Sequence, residues 1–190
     1  MFYIIVRWAF RIIFKTVFPI QLTGVENIPD KGPVIICSNH ISWWDPPLMA
    51  AIIPRPSTFM AKEELFENFI FSKIIYGLGA FPVRRGVADR KAVKTALNIL
   101  NQGKVLTMFP EGTRSKTGKL RKPLPGVGFI ALKSKAPVIP IAIKAPYRFF
   151  RKTKVKIGRP LYAEDVKIEE NGKTTEQVSS TIMGAIADML

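Results

Sequence analysis

Cysteine and histidine occur once each in the 190-residue chain, as Cys37 and His40. One cysteine cannot close an internal disulfide, and one histidine with one cysteine cannot supply the four ligands of an ordinary zinc site. A reducing compartment and metal-free chemistry are therefore expected; no cofactor is expected either. The chain also lacks internal repeats, low-complexity tracts and any linker rich enough in Gly or Ser to divide it. With 47% hydrophobic residues it can fill one substantial core, so a single folded domain is the expectation. Acidic side chains are scarce over most of the length. Residues 1–160 hold eight Asp and Glu against 27 Lys and Arg, a formal +19, whereas residues 161–190 hold six acids and two Lys. The overall +15 is more than solubility requires and implies an anionic partner, either nucleic acid or anionic lipid.

Residues 2–18 are almost entirely apolar or aromatic, broken only by Arg7, Arg11, Lys15 and Thr16 and closed by Pro19. The pattern predicts one helix. Steps of four residues advance about 40° beyond a full turn, so the three cations form a narrow stripe on an otherwise apolar cylinder. A crossing needs roughly 20 predominantly apolar residues, and three cations make it costly. No small-residue cleavage site follows before Gln21, which argues against a signal peptide. Residues 1–19 are thus expected to form an interfacial, amphipathic membrane-associating helix, with packing on the protein's own core as the alternative.

After Pro19, short apolar runs alternate with helical stretches. Strands are predicted at 21–25, 33–38, 57–61, 79–83, 104–109, 137–143 and 154–158, and helices at 46–53, 66–77, 88–102, 126–135 and near 173–189. Val34–Cys37 and Val138–Ile143 are apolar on both faces, as strands of a buried parallel sheet are. The expected fold is α/β, with residues 20–190 forming a largely parallel sheet covered by helices on both faces. Pro110–Pro125 is the longest non-periodic stretch, and long loops inside compact domains are more often functional than idle.

His40 directly follows a buried strand, where α/β sheets present their ligand-facing ends. Five residues on is Asp45, in Ser38-Asn39-His40-Ile41-Ser42-Trp43-Trp44-Asp45-Pro46-Pro47. A carboxylate near a histidine can hold the ring in the tautomer that leaves the other nitrogen free as a base, although Asp45 before Pro46 also fits a helix cap. Trp43 and Trp44 fit three roles: shielding the site, dipping into lipid, or plain packing. A second block, Phe109-Pro110-Glu111-Gly112-Thr113-Arg114-Ser115, follows the apolar strand at 105–108 and brings an acid and an arginine to the same end of the sheet. Arg84 and Arg85 in Phe81-Pro82-Val83-Arg84-Arg85-Gly86 arrive at another strand end, and an arginine fork suits phosphate oxygens.

These blocks, with Ala136-Pro137-Val138-Ile139-Pro140, resemble in order and spacing the four motifs of the 1-acylglycerol-3-phosphate acyltransferase family. The resemblance spans residues 39–140 and implies several roles. His40 would be the general base and Asp45 its orienting partner. Glu111 and Gly112 would shape the acceptor site, while Arg84, Arg85 and Arg114 would bind the acceptor phosphate. The fourth block would line the path of the acyl donor. The implied reaction moves a fatty acyl group from acyl-CoA or acyl-carrier protein to the free hydroxyl of lysophosphatidic acid, giving phosphatidic acid in phospholipid biosynthesis. The implied location is the cytoplasmic face of the cell membrane, peripheral or monotopic. Glycerol 3-phosphate or another lysophospholipid as acceptor, or a non-catalytic basic binding module, are the rival readings.

Two further features lie outside these roles. Gly126-Val127-Gly128-Phe129-Ile130-Ala131 matches a dinucleotide-binding pattern but follows Pro123 and Pro125 instead of a strand, so a helix start is expected. The stretch 144–159 holds seven cations, no acid, and the aromatics Tyr147, Phe149 and Phe150. It suits anionic lipid better than nucleic acid, given the N-terminal helix.

Overall fold

Alternate side chains of a β-strand point to opposite faces, and in the central strands of this sheet both faces are buried. The computed structural model describes residues 2–145, 147–166 and 174–190. Its elements run α1 (Phe2–Thr16), β1 (Ile20–Thr23), β2 (Val34–Ser38), α2 (Asp45–Ile52), β3 (Ser57–Lys62), α3 (Phe69–Gly77), β4 (Ala80–Val83), α4 (Arg90–Asn101), β5 (Val105–Met108), α5 (Gly126–Ser134), β6 (Val138–Lys144), β7 (Thr153–Ile157) and α6 (Thr174–Ala187). All seven predicted strands form one sheet in the order β1-β7-β6-β2-β5-β3-β4, parallel except where β6 meets β7. Along β2, Val34 and Ile36 enter a core with residues of α1 and α2, while Ile35 and Cys37 enter a second core beneath α4, α5 and α6. A single α/β unit with both sheet faces covered is the result.

Cys37 is fully buried, and burial pushes its thiol well above the usual cysteine range, so its place in the fold is that of a small apolar residue. The predicted helix at 66–77 starts later, at Phe69, because the Asn68 side chain accepts from the amides of Ile70 and Phe71 and caps it there. β1 stops at Thr23, since Gly24 turns the chain with φ 82°; a Cβ there would sit 2.1 Å from the Ile157 carbonyl oxygen. Residue 173, the predicted start of the last helix, lies outside the described residues. The glycine pattern at 126–131 opens α5, as expected. A Cβ on Gly128 would lie 2.0 Å from the Thr175 carbonyl oxygen, so that glycine lets α5 and α6 approach closely.

α1 uses two of its three cations inside the fold. Arg11 Nε donates to the Ala51 carbonyl at 2.9 Å, and Arg7 donates to the carbonyls of Ile53 and Pro54. Arg7 and Arg11 thus face inward, because the last carbonyls of α2 have no partners within their own helix and a guanidinium supplies donors. What α1 turns outward is largely apolar: Ile4, Ile5, Trp8 and Ile12 are each more than half exposed, with Lys15 and Thr16 exposed in the last turn. Among the described residues no helix is long and apolar enough to cross a membrane.

Candidate active site

β2, β3, β4, β5 and β6 are parallel to one another, so the loops leaving their C-terminal ends gather along one edge of the sheet. His40 leaves β2, Arg84 and Arg85 leave β4, Glu111 and Arg114 leave β5, and Tyr147 leaves β6. Asn39 fixes the first of these loops, its side-chain amide pairing with both the amide and the carbonyl of Ile143.

The segment 39–44 turns back on itself and brings His40 Nδ1 to 2.7 Å from Asp45 Oδ2. The same oxygen accepts from the amides of Ile41 at 2.6 Å and Ser42 at 2.7 Å, and Oδ1 accepts from the Tyr147 hydroxyl at 2.6 Å. Asp45 is fully buried and is the first residue of α2, yet its carboxylate points back to the loop and not onward to the helix amides. Helix capping therefore does not explain it. An ionised carboxylate only accepts, so Nδ1 carries the proton and Nε2 keeps its lone pair. Phe109 stacks on the imidazole with centroids 4.1 Å apart and planes 19° from parallel, which fixes the ring orientation.

Glu111 is buried with both oxygens occupied: Oε1 accepts from the His40 amide at 2.9 Å and Oε2 from the Arg121 amide at 3.0 Å. Ser115 returns the link, its amide donating to the His40 carbonyl at 2.7 Å. The carboxylate ties the 109–125 loop to the histidine segment and has no lone oxygen pointing outward. Gly112 turns with φ 66°, a left-handed backbone that favours glycine, and Leu124 packs close over it.

The three arginines are placed differently. Arg114 lies with its guanidinium carbon 3.7 Å from the centroid of the Trp43 ring, a cation–π contact that aims it and gives the exposed Trp43 a role as a platform. Trp44 packs inward on Phe14 and Phe18. Arg85 feels Arg114: partial desolvation and then that like charge hold its guanidinium below the usual arginine value, with Glu64 opposing. It remains a cation. Arg84 turns to Asp89, which accepts from its amide at 2.9 Å and lies 3.8 Å from its Nε, and its side chain is largely exposed. Arg85 and Arg114 are near enough for their charges to interact weakly, while Arg84 turns to Asp89 at the start of α4.

Tyr147 was not singled out from sequence as a site residue. Its only signal was a tyrosine among the cations of 144–159, and that stretch divides in space. Tyr147 enters the site, Phe149 and Phe150 stand out at the turn after β6, and Lys154 and Lys156 of β7 face outward on the side of the sheet away from α1. Among the described residues no group of three or more His, Cys, Asp or Glu could hold a metal ion.

The acyltransferase family profile matches residues 19–144. A 1-acyl-sn-glycerol-3-phosphate acyltransferase of Bacillus subtilis is 34% identical over 165 aligned residues, covering 83% of this chain and 81% of that protein. Another, from Streptococcus pneumoniae, is 32% identical over 84% of this chain and 61% of its own length, so the chain spans about three-fifths of that relative. Among solved structures, the 1-acyl-sn-glycerophosphate (LPA) acyltransferase of Thermotoga maritima matches with a TM-score of 0.73 at 27% identity, over 99% of this chain and 78% of that one.

Proposed function

The chain belongs to the acyltransferase family, and from that premise we propose that it acylates 1-acylglycerol-3-phosphate to phosphatidic acid in phospholipid biosynthesis, with acyl-CoA or acyl-carrier protein as donor. The observation that carries the reading is His40, its Nδ1 bound to Asp45 and its Nε2 left to act, on the sheet edge that also receives the loops bearing Arg85 and Arg114. Nε2 takes the proton of the free glycerol hydroxyl as the oxygen attacks the thioester carbonyl. The C–O bond forms, the C–S bond breaks, and the imidazolium returns the proton to the departing thiol. Charge on Asp45 steadies the imidazolium between these steps. No covalent acyl-enzyme is needed. Arg114, with Arg85, clamps the acceptor phosphate and turns a chance encounter into a positioned one.

The direct test is phosphatidic acid formation from lysophosphatidic acid, with glycerol 3-phosphate and other lysophospholipids as competitors. Arg114→Ala is expected to raise KM for lysophosphatidic acid on the order of tenfold or more, the value of a charge-assisted bond, and to leave the donor KM nearly unchanged. An unchanged acceptor KM would remove Arg114 from the phosphate site.

The same proposal seats the enzyme on the cytoplasmic face of the cell membrane. Outward on α1 are Ile4, Ile5, Trp8 and Ile12; outward on α3 are Phe69, Ile70, Phe71 and Ile74. The two helices touch, since a Cβ on Gly77 would fall 2.8 Å from the Phe2 ring. Lys73 sits over the Phe69 ring at 4.1 Å, an ammonium positioned at the margin of the apolar surface. So large an exposed apolar surface with cations nearby suits lipid acyl chains below and phosphates above. In vesicle sedimentation, Trp8→Glu combined with Ile70→Glu is expected to lower binding at least tenfold on phosphatidylglycerol-containing vesicles. Full binding by that variant would refute this orientation.

A further inference from the structure

Asp45 has more donors around it than a histidine-orienting carboxylate needs. The backbone amides of Ile41 and Ser42 and the imidazole Nδ1 share Oδ2, while Oδ1 has the Tyr147 hydroxyl. That last bond is made from 102 residues away and at a conformational cost, for Tyr147 has φ 39°, a left-handed backbone that a bulky residue rarely adopts. The ring is held from behind by the edge of Phe18, at 6.4 Å and 82°, and Phe18 is itself stacked on Phe149 at 5.6 Å. Strain, bracing and a short bond directed at one oxygen indicate a placed group, not a packing accident.

We propose that Tyr147 is a positioning residue that sets the strength of the base: its hydroxyl takes up part of the Asp45 charge, so that His40 releases its proton readily to the leaving thiol. Burial, then the Asp45 charge and the bond to Asp45, push the Tyr147 hydroxyl well above the usual tyrosine range, so it stays a donor through the working pH interval. The charged groups around the pair are few. Asp45 of α2 is the one that meets the tyrosine hydroxyl; Glu111 of the β5 loop lies on the His40 amide, Arg114 lies over Trp43, and Phe18 contributes only a ring. With the hydroxyl gone, Oδ1 loses its donor, the carboxylate acts at greater strength on the imidazolium, and the ring holds its proton more tightly. The protonation midpoint of His40 therefore moves to higher pH, and the acid limb of the kcat/KM profile moves with it.

The inference rests on His40 as the base, but its test does not require turnover. Because His40 is the only histidine, 15N-histidine labelling of the untagged protein gives the signal of one imidazole. Tyr147→Phe keeps the ring and its packing, and is expected to raise the titration midpoint by about half a pH unit or more, a roughly threefold change in proton affinity. Phe18→Leu, which loosens the brace and deletes no donor, should stay within about a tenth of a unit of the original. An unmoved midpoint in Tyr147→Phe overturns the proposal, as does an equal shift in Phe18→Leu, which would assign the effect to packing. A shifted midpoint in a protein with no acyl transfer would sink only the functional reading.

Discussion

Replacing His40 with alanine is expected to lower turnover by on the order of a thousandfold or more and to leave the protein folded and bound to vesicles. General-base transfer contributes roughly 10²–10⁴ in rate, and no second histidine exists to substitute. The fold survives because Asp45, the buried charge that the deletion would otherwise strand, keeps three of its four donors: the amides of Ile41 and Ser42 and the hydroxyl of Tyr147. What is lost is the ring's contact with Phe109 and one hydrogen bond, together about 1–3 kcal/mol. Initial rates on lysophosphatidic acid, thermal melting and vesicle sedimentation on one preparation decide the matter. Near-normal turnover would show that the base lies elsewhere, and loss of the melting transition would show that His40 is chiefly structural.

Asp45→Asn is expected to cost nearly as much in kcat, on the order of a hundred- to a thousandfold, with a modest fall in stability. The carboxamide has a low-strain solution in this pocket. Its oxygen can face the two amides and Nδ1, and its NH₂ can face Tyr147, whose hydroxyl turns round to accept. Bonding is then complete but the negative charge is gone, so the imidazolium formed during transfer has no counter-ion. Asp45→Ala differs in kind, because it leaves the amides of Ile41 and Ser42 without an acceptor inside the fold, at about 1–3 kcal/mol each. The pair of variants separates charge from scaffolding. If asparagine turns over like aspartate, the charge is dispensable and the orienting role falls.

The sheet was readable from the sequence because its central strands β2, β5 and β6 are apolar on both faces, β7 alternates apolar and charged residues, and turn residues or charges separate the runs, so each strand was found within a few residues. Helix boundaries were less legible where a single side chain decides them, as Asn68 does for α3. In the site, the His40–Asp45 spacing and the glutamate-bearing loop could be read because both are local in sequence. Tyr147 could not, since its partner is 102 residues distant and its neighbours are cations that suggest an outer surface. Nor could the order of the arginine pair. Arg84 and Arg85 are consecutive, and which of the two faces Arg114 depends on Asp89 claiming the other from the start of α4. The direction taken by Arg7 and Arg11 was hidden for a related reason. A periodic stripe fixes which residues share a helix face, but the direction that face takes is set by unpaired carbonyls elsewhere in the fold.

The grip of those two arginines on α2 has a geometric consequence. α2 has eight residues, about 12 Å in length, with the Asp45 carboxylate at one end and the carbonyls held by Arg7 and Arg11 at the other. α1 is consequently no tether on which the rest of the protein drifts, but a keel bolted to the element that carries Asp45. With α1 seated in lipid as proposed, the depth of that keel sets the altitude of His40 above the acyl region. On that proposal the imidazole would keep one fixed height over the leaflet, whatever the sideways motion of the lipids beneath it.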